Sequence, residues 1–162
     1  MQFVPLRIYT SHSMRASKMI HKPAFYGAAY LILVKRGKVL LQKRSKQVFK
    51  AGFYGLPAGH IEGEETVFSA LKREVREEIG ITVTEKTTEL VHVMHRISAD
   101  RIYFDFFFTT NTWKGEIQNC EPDKHDEIEW FPLNNLPKKI IPYLKRTLTR
   151  IDKEIFFSED KM

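Results

Sequence analysis

The sequence predicts one mixed α/β domain: a mixed β-sheet with one central and one terminal helix. Three observations carry this expectation. Short β-branched and aromatic runs recur along the chain, the apolar period switches to helical spacing between residues 66 and 79, and a second helical stripe closes the sequence. The length of 162 residues fits a single domain with short tails. We expect a basic N-terminal extension over residues 1–22, a folded domain over 23–157 and a C-terminal tail over 158–162.

Residues 24–34 are apolar, aromatic and β-branched, which reads as a strand. The turn Lys35-Arg36-Gly37-Lys38 returns the chain as a second strand over 39–44, forming a hairpin. Residues 46–60 carry Gly52, Gly55, Gly59 and Pro57 with little periodicity and read as a loop. Over 66–79, Val67, Phe68, Ala70, Leu71, Val75 and Ile79 fall at helical spacing, and Gly80 stands where a helix closes in a left-handed turn. Residues 81–83, 90–97 and 102–111 read as strands, and 127–131 as a short strand ending at Pro132. Phe104, Phe106 and Phe108 alternate with Asp105, Phe107 and Thr109, the pattern of a well-buried strand. The last element, residues 139–157, places Ile141, Leu144, Leu148, Ile151 and Ile155 on one helical stripe, with Pro142 tolerated in the first turn.

Composition narrows the function class. The single cysteine, Cys120, allows no internal disulfide and favours a reducing compartment. No run of about 18 apolar residues exists to span a membrane, and the first twenty residues lack the apolar core of a secretory signal. The expected location is cytoplasmic, with Met14 and Met19 as alternative starts. Residues 1–61 hold eleven Lys or Arg and no acid, whereas residues 62–162 hold fifteen basic residues and all twenty acids. Such polarity suits a site where carboxylates hold a cation and nearby basic groups receive phosphates; a solvated basic tail is the alternative for residues 1–22.

The chemistry concentrates between residues 59 and 81. Glu74, Glu77 and Glu78 stand at i, i+3 and i+4 on the predicted helix, where neighbouring side chains lie only about 5–6 Å apart. Three like charges so close destabilise an isolated helix. The cluster is explained if a hard divalent cation sits among them, and a solvated acidic face is the competing account. Arg73 answers part of the charge and sits eight residues after Glu65, close enough to brace the preceding loop. Arg44, Lys43 and Lys46 flank that loop and either meet phosphates or end a solvated hairpin. Trp113 and Trp130 read as packing residues. His92 and His95, three apart on a strand, face opposite sides and do not share a metal.

The whole stretch reads G-x5-E-x7-R-E-U-x-E-E-x-G-U, with U aliphatic, from Gly59 through Glu65, Arg73, Glu74, Glu77, Glu78 and Gly80 to Ile81. A chance match in such a chain is on the order of one in ten million. It resembles the Nudix box, the signature of the Nudix hydrolases, and the resemblance extends over about residues 23–157. That resemblance implies an α/β/α sandwich around a central mixed sheet and a hydrolase cutting a phosphoanhydride with Mg²⁺, for which Mn²⁺ substitutes. It implies that Glu77 and Glu78 are the principal metal ligands, Glu74 a further ligand or general base, and the Ala58 carbonyl another ligand where many members have glycine. Gly59, Glu65, Arg73 and Gly80 would support the site. A divalent ion there would neutralise phosphate charge and acidify the attacking water.

A second segment, Asn119-Cys120-Glu121-Pro122-Asp123-Lys124, running on to Trp130, resembles one in MutT-type nucleoside-triphosphate pyrophosphohydrolases. On that resemblance Glu121 is the candidate distant ligand or base, ahead of Asp123, Asp126 and Glu127. His95-Arg96 and Ile97-Ser98 stand where members acting on ADP-ribose often have proline and those acting on dinucleoside polyphosphates often have tyrosine. The expected substrate is therefore a nucleoside triphosphate, ordinary or oxidised, cleaved to a monophosphate and pyrophosphate. The alternatives are an RNA 5′ end, another nucleoside diphosphate derivative, and a non-catalytic nucleotide sensor.

Overall fold

Alternation along the first strand organises the molecule. In the computed structural model, which describes residues 24–98 and 101–161, β1 (Ala24–Ile32) sends Ala28, Tyr30 and Ile32 to one core and Ala29 and Leu31 to another. A strand alternates its side chains between faces, so an unbroken apolar run needs a cover on both. The basic extension expected over residues 1–22 lies outside the described residues.

The elements that follow are β2 (Val34–Lys35), β3 (Lys38–Arg44), β4 (Tyr54–Gly55), β5 (Ala58–His60), α1 (Val67–Ile79), β6 (Thr88–Ser98), β7 (Arg101–Thr110), β8 (His125–Pro132), α2 (Pro142–Asp152) and β9 (Phe157–Lys161). Five strands form one mixed sheet in the order β5-β1-β7-β6-β9, with β1 parallel to β7 and β9 parallel to β6. A second sheet joins β2, β3 and β4, and β8 pairs with β3. Helix α1 packs Ala70, Leu71, Val75 and Ile79 against Ala29, Leu31, Leu33 and Leu40. Helix α2 packs Leu144 and Leu148 against Tyr30, Met94 and Phe107 on the opposite face. The two helices therefore enclose the mixed sheet as the expected α/β/α sandwich.

Several expectations change. The loop over 46–60 contains β4 and β5, both too short to show a period. Residues 81–83 make only an isolated bridge, Thr82 to Lys114. Strand β7 is not buried throughout: Phe107 is inaccessible, whereas Phe104 lies exposed, stacked between Phe25 and His95. The terminal helix stops at Asp152, and residues expected as a tail over 158–162 contribute to β9 instead. Ser, Glu and Asp are poor strand formers, so local preference hides this strand. Tertiary partners hold it: Ser158 bonds His92 Nε2, and Asp160 meets Arg146 and Arg150 of α2. His92 and His95 do lie on opposite faces, one beside Phe107 and the other stacked on Phe104. Trp113 and Trp130 pack against the α1-side core.

Candidate active site

The site grows from the two ends of α1. At the start, Thr66 caps the helix by accepting the Ser69 N–H at 3.2 Å. At the end, Gly80 adopts φ 74°, and its N–H donates to the carbonyls of Arg76 and Val75. A side chain there would be strained and would press on Cys120 Sγ at 3.1 Å. Helix C-terminal carbonyls need outside donors. The following loop supplies them: Cys120 N–H donates to Glu78 O at 3.0 Å and Gln118 N–H to Ile79 O at 3.2 Å. Satisfying the end of α1 thus carries Glu121 to the side of Glu78.

Arg73 ties the preceding loop to the helix. Its guanidinium donates to Glu65 at 2.7 and 3.3 Å, to the His60 carbonyl at 3.0 Å and to Glu74 Oε1 at 2.7 Å. Glu65 also accepts the Glu62 N–H at 2.8 Å. The Arg73 contact and this N–H hold the Glu65 carboxyl below its ordinary value. Gly59 lets Glu74 lie against β5, because a Cβ there would come within 1.8 Å of Glu74 Oε1. Burial raises the Glu74 carboxyl, with the Arg73 contact opposing.

The three box glutamates diverge. Glu77 is half exposed and reaches Arg73 at 3.4 Å, while Glu74 turns to the same guanidinium. Glu78 instead points inward with the core residues of α1, at 6% exposure. Its Oε2 accepts the Ala58 N–H at 2.9 Å, so the Ala58 group bonded to it is the amide. Its Oε1 lies 3.7 Å from His125 Nε2. Ligand atoms of Glu78, Glu121 and His125 all fall within 4.8 Å of one another. Glu121 Oε1 accepts Lys124 Nζ at 2.7 Å, while its Oε2 is buried without a partner.

The electrostatics of this cluster favour a bound cation. Burial, with added repulsion from Glu74 and Glu121, pushes the Glu78 carboxyl up to about 8 against the Ala58 N–H. Burial and Arg44 push His125 down to about 4, with Lys124 assisting and Glu121 opposing. At neutral pH the imidazole is uncharged, so the 3.7 Å approach is not an ion pair. Burial thus keeps Glu78 largely protonated at neutral pH, and the half-buried Glu121 leaves its Oε2 without a hydrogen-bond partner. A hard divalent ion fits such an oxygen-rich set.

Of the other expected residues, Arg44 donates through Nε to Phe49 O at 2.6 Å, and its charge acts on His125, its register partner across β3 and β8. Lys43 is drawn away to Glu127 at 3.2 Å, and Glu127 also accepts the Tyr54 hydroxyl. The Asp123 carbonyl accepts Ser45 Oγ at 2.7 Å and the Lys124 carbonyl accepts the Ser45 N–H at 2.8 Å, strapping the β3 end to the Glu121 loop. Sequence reasoning missed His125 and its partner Gln42. Their signal was the register of β3 with β8, which brings residues far apart in sequence together.

Comparison with known proteins finds relatives of both the sequence and the fold. Residues 25–151 match the family described as NUDIX domain. An 8-oxo-dGTP diphosphatase of Proteus vulgaris is 37% identical over 99 residues, which cover 61% of this chain and 87% of that protein. An ADP-ribose pyrophosphatase of Methanocaldococcus jannaschii is 36% identical over 107 residues, covering 66% of this chain and 62% of the relative. The crystal structure of a MutT NUDIX hydrolase from Burkholderia pseudomallei superposes with a TM-score of 0.70 at 30% identity, over 77% of this chain and 96% of the other.

Proposed function

The chain belongs to the Nudix hydrolase family, and from that premise we propose that it hydrolyses a nucleoside triphosphate, ordinary or oxidised, to a nucleoside monophosphate and pyrophosphate. The observation that carries this reading is the inward-facing Glu78 beside Glu121, whose Oε2 is buried without a partner. The resemblance of the Glu121 segment to MutT-type enzymes and the Proteus relative's activity support the triphosphate.

Glu78, Glu121 and Glu77 would hold Mg²⁺, or Mn²⁺ in its place, with the Ala58 carbonyl as a further candidate and Glu74 beside them for the attacking water. When bound, the ion neutralises phosphate charge and acidifies water. Glu74 is the group we assign to receive the proton as water attacks phosphorus and the phosphoanhydride oxygen leaves with its electron pair, since Lys124 leaves Glu121 only Oε2 for the ion. Arg44, held against Phe49 O, is the candidate phosphate contact. Arg73, through Glu65 and the His60 carbonyl, fixes the loop that shapes the helix start.

A second reading, hydrolysis of an ADP-ribose-like nucleoside diphosphate derivative, rests on the Methanocaldococcus relative at nearly the same identity. The test is a Mg²⁺-dependent panel of nucleoside triphosphates, 8-oxo-dGTP, ADP-ribose, dinucleoside polyphosphates and 5′-triphosphate RNA, with products identified by mass. We expect monophosphate and pyrophosphate in equal amounts from a triphosphate. Turnover confined to ADP-ribose would replace the first reading with the second.

A further inference from the structure

Resting on that reading, we propose that His125 supplies a nitrogen ligand to the divalent ion, with Gln42 setting which ring nitrogen is free, so that the site prefers nitrogen-accepting ions such as Mn²⁺ and Co²⁺ to Mg²⁺. The comparison with His92 shows why His125 is not merely a packed histidine. His92 uses both ring nitrogens, Nδ1 against Ile155 O at 2.6 Å and Nε2 against Ser158 Oγ at 2.8 Å. His125 is buried as well, at 5% exposure, yet only Nδ1 is within hydrogen-bond reach of a partner, the Gln42 amide at 3.2 Å. Its Nε2 faces Glu78 Oε1 at 3.7 Å, too far for a hydrogen bond. Ligands about 2.1 Å from one ion lie up to about 4.2 Å apart when opposed. The 4.8 Å limit on the Glu78, Glu121 and His125 ligand atoms is within a small side-chain movement of that.

Gln42 can serve either tautomer of His125. It is 1% exposed, and its Oε1 is buried without a partner. With the amide nitrogen toward the ring, Nδ1 accepts, Nε2 carries the proton, and His125 is a weak donor toward Glu78. A half-turn of the amide puts Oε1 on Nδ1–H and leaves Nε2 as a bare lone pair facing the carboxylates. The turn exchanges a stranded oxygen for a stranded nitrogen, so alone it changes little, and a bound ion decides it. Metal-bound histidines commonly donate their other N–H to such an acceptor. Imidazole suits first-row transition ions, whereas Mg²⁺ keeps to oxygen ligands, so His125 separates the two classes.

Pulsed electron paramagnetic resonance of the Mn²⁺-loaded full chain, with histidines labelled by ¹⁵N, should show a nitrogen coupling to the metal. Its absence would overturn the proposal without needing any variant. Calorimetric titration with Mn²⁺, Co²⁺ and Mg²⁺ then compares wild type with His125→Leu. We expect the variant to lose the ¹⁵N coupling and about ten-fold or more in Mn²⁺ and Co²⁺ affinity, with Mg²⁺ affinity changed less than about two-fold. Uniform loss across the three ions, or none, would remove His125 as a ligand while leaving the carboxylate site standing. Wild-type protein that binds none of the three would overturn the carboxylate reading itself, and this inference with it. Gln42→Glu, which accepts from Nδ1–H permanently, should keep or widen the gap between Co²⁺ and Mg²⁺; a collapsed gap would remove Gln42 from the scheme.

Discussion

Among the described residues two clusters of buried charge stand out, and they are finished differently. Arg96 and Asp105, on neighbouring strands β6 and β7, are 6% and 0% exposed. Arg96 donates to both Asp105 oxygens, at 2.6 and 3.1 Å, and its guanidinium lies between the rings of Tyr103 and Tyr143 at 4.0 and 4.5 Å. Burial works against the Arg96 charge, but Asp105 more than offsets it and holds the guanidinium above its ordinary value. Each charge here has an opposite beside it. Around Glu78 the reverse holds: Glu121 adds charge of the same sign, His125 is neutral, and Lys124 pairs at the surface with Glu121. A closed network serves the fold; an open one of one sign is tolerated when a ligand completes it.

The largest effects should fall where the network is open. Glu78→Gln should lower turnover by about three orders of magnitude, roughly 4 kcal/mol of barrier, while leaving the melting temperature unchanged or raised. A carboxyl pushed up to about 8 contributes no stabilising charge in the absence of an ion. Steady-state rates beside thermal melts check this, and a variant with wild-type turnover would break the contrast at its centre.

The closed network should respond in the opposite currency. Arg96→Leu strands the Asp105 carboxylate and should cost about 3–5 kcal/mol of stability. The double change Arg96→Leu with Asp105→Leu should recover most of it, because no charge then remains buried. Urea denaturation of the two singles and the double forms the cycle. A double variant as unstable as the first single would mean that the pair contributes more than mutual neutralisation.

Arg73 stands between the two cases, since it is closed against Glu65 yet holds a loop of the site. Arg73→Ala should lower stability by about 1–2 kcal/mol and turnover as well. Normal melting with reduced turnover would show that Arg73 acts on Glu74 and Glu77 alone, not by bracing the loop.

The Glu78 side of the open cluster was legible in sequence, whereas its His125 and the whole closed cluster were not, for a physical reason. Glu65, Arg73, Glu74, Glu77 and Glu78 lie on one short stretch whose spacing helix geometry converts into proximity. The helix face, its cap at Gly80 and the brace to Glu65 follow from that spacing. Arg96 and Asp105 meet across a pair of strands whose register no local pattern sets, and the same is true of Gln42 with His125. Asp105 was read only as the polar alternate of three phenylalanines. Strand β9 escaped for a related reason: its composition opposes a strand, and its partners are contributed by β6 and α2.

That hidden strand gives the smallest and cleanest extension of the comparison. Asp160 faces two arginines, Arg146 at 2.9 Å and Arg150 at 3.3 Å, forming a closed charge cluster near the surface rather than in the core. Burial tends to raise its carboxyl, but the two arginines together hold it below its ordinary value. A carboxyl lowered on folding contributes stability that is present above its unfolded pKa and is lost as pH falls through the folded one. The difference in melting temperature between wild type and Asp160→Asn should therefore be fully developed at pH 7. It should shrink progressively below about pH 4 as the unfolded and then the folded carboxyl takes up its proton. Partly exposed pairs are screened, so the effect at pH 7 should be under about 1 kcal/mol and smaller still in high salt. A difference that persisted unchanged to low pH would show that Asp160 holds β9 by packing and hydrogen bonding, leaving charge closure as a property of the Arg96–Asp105 core alone.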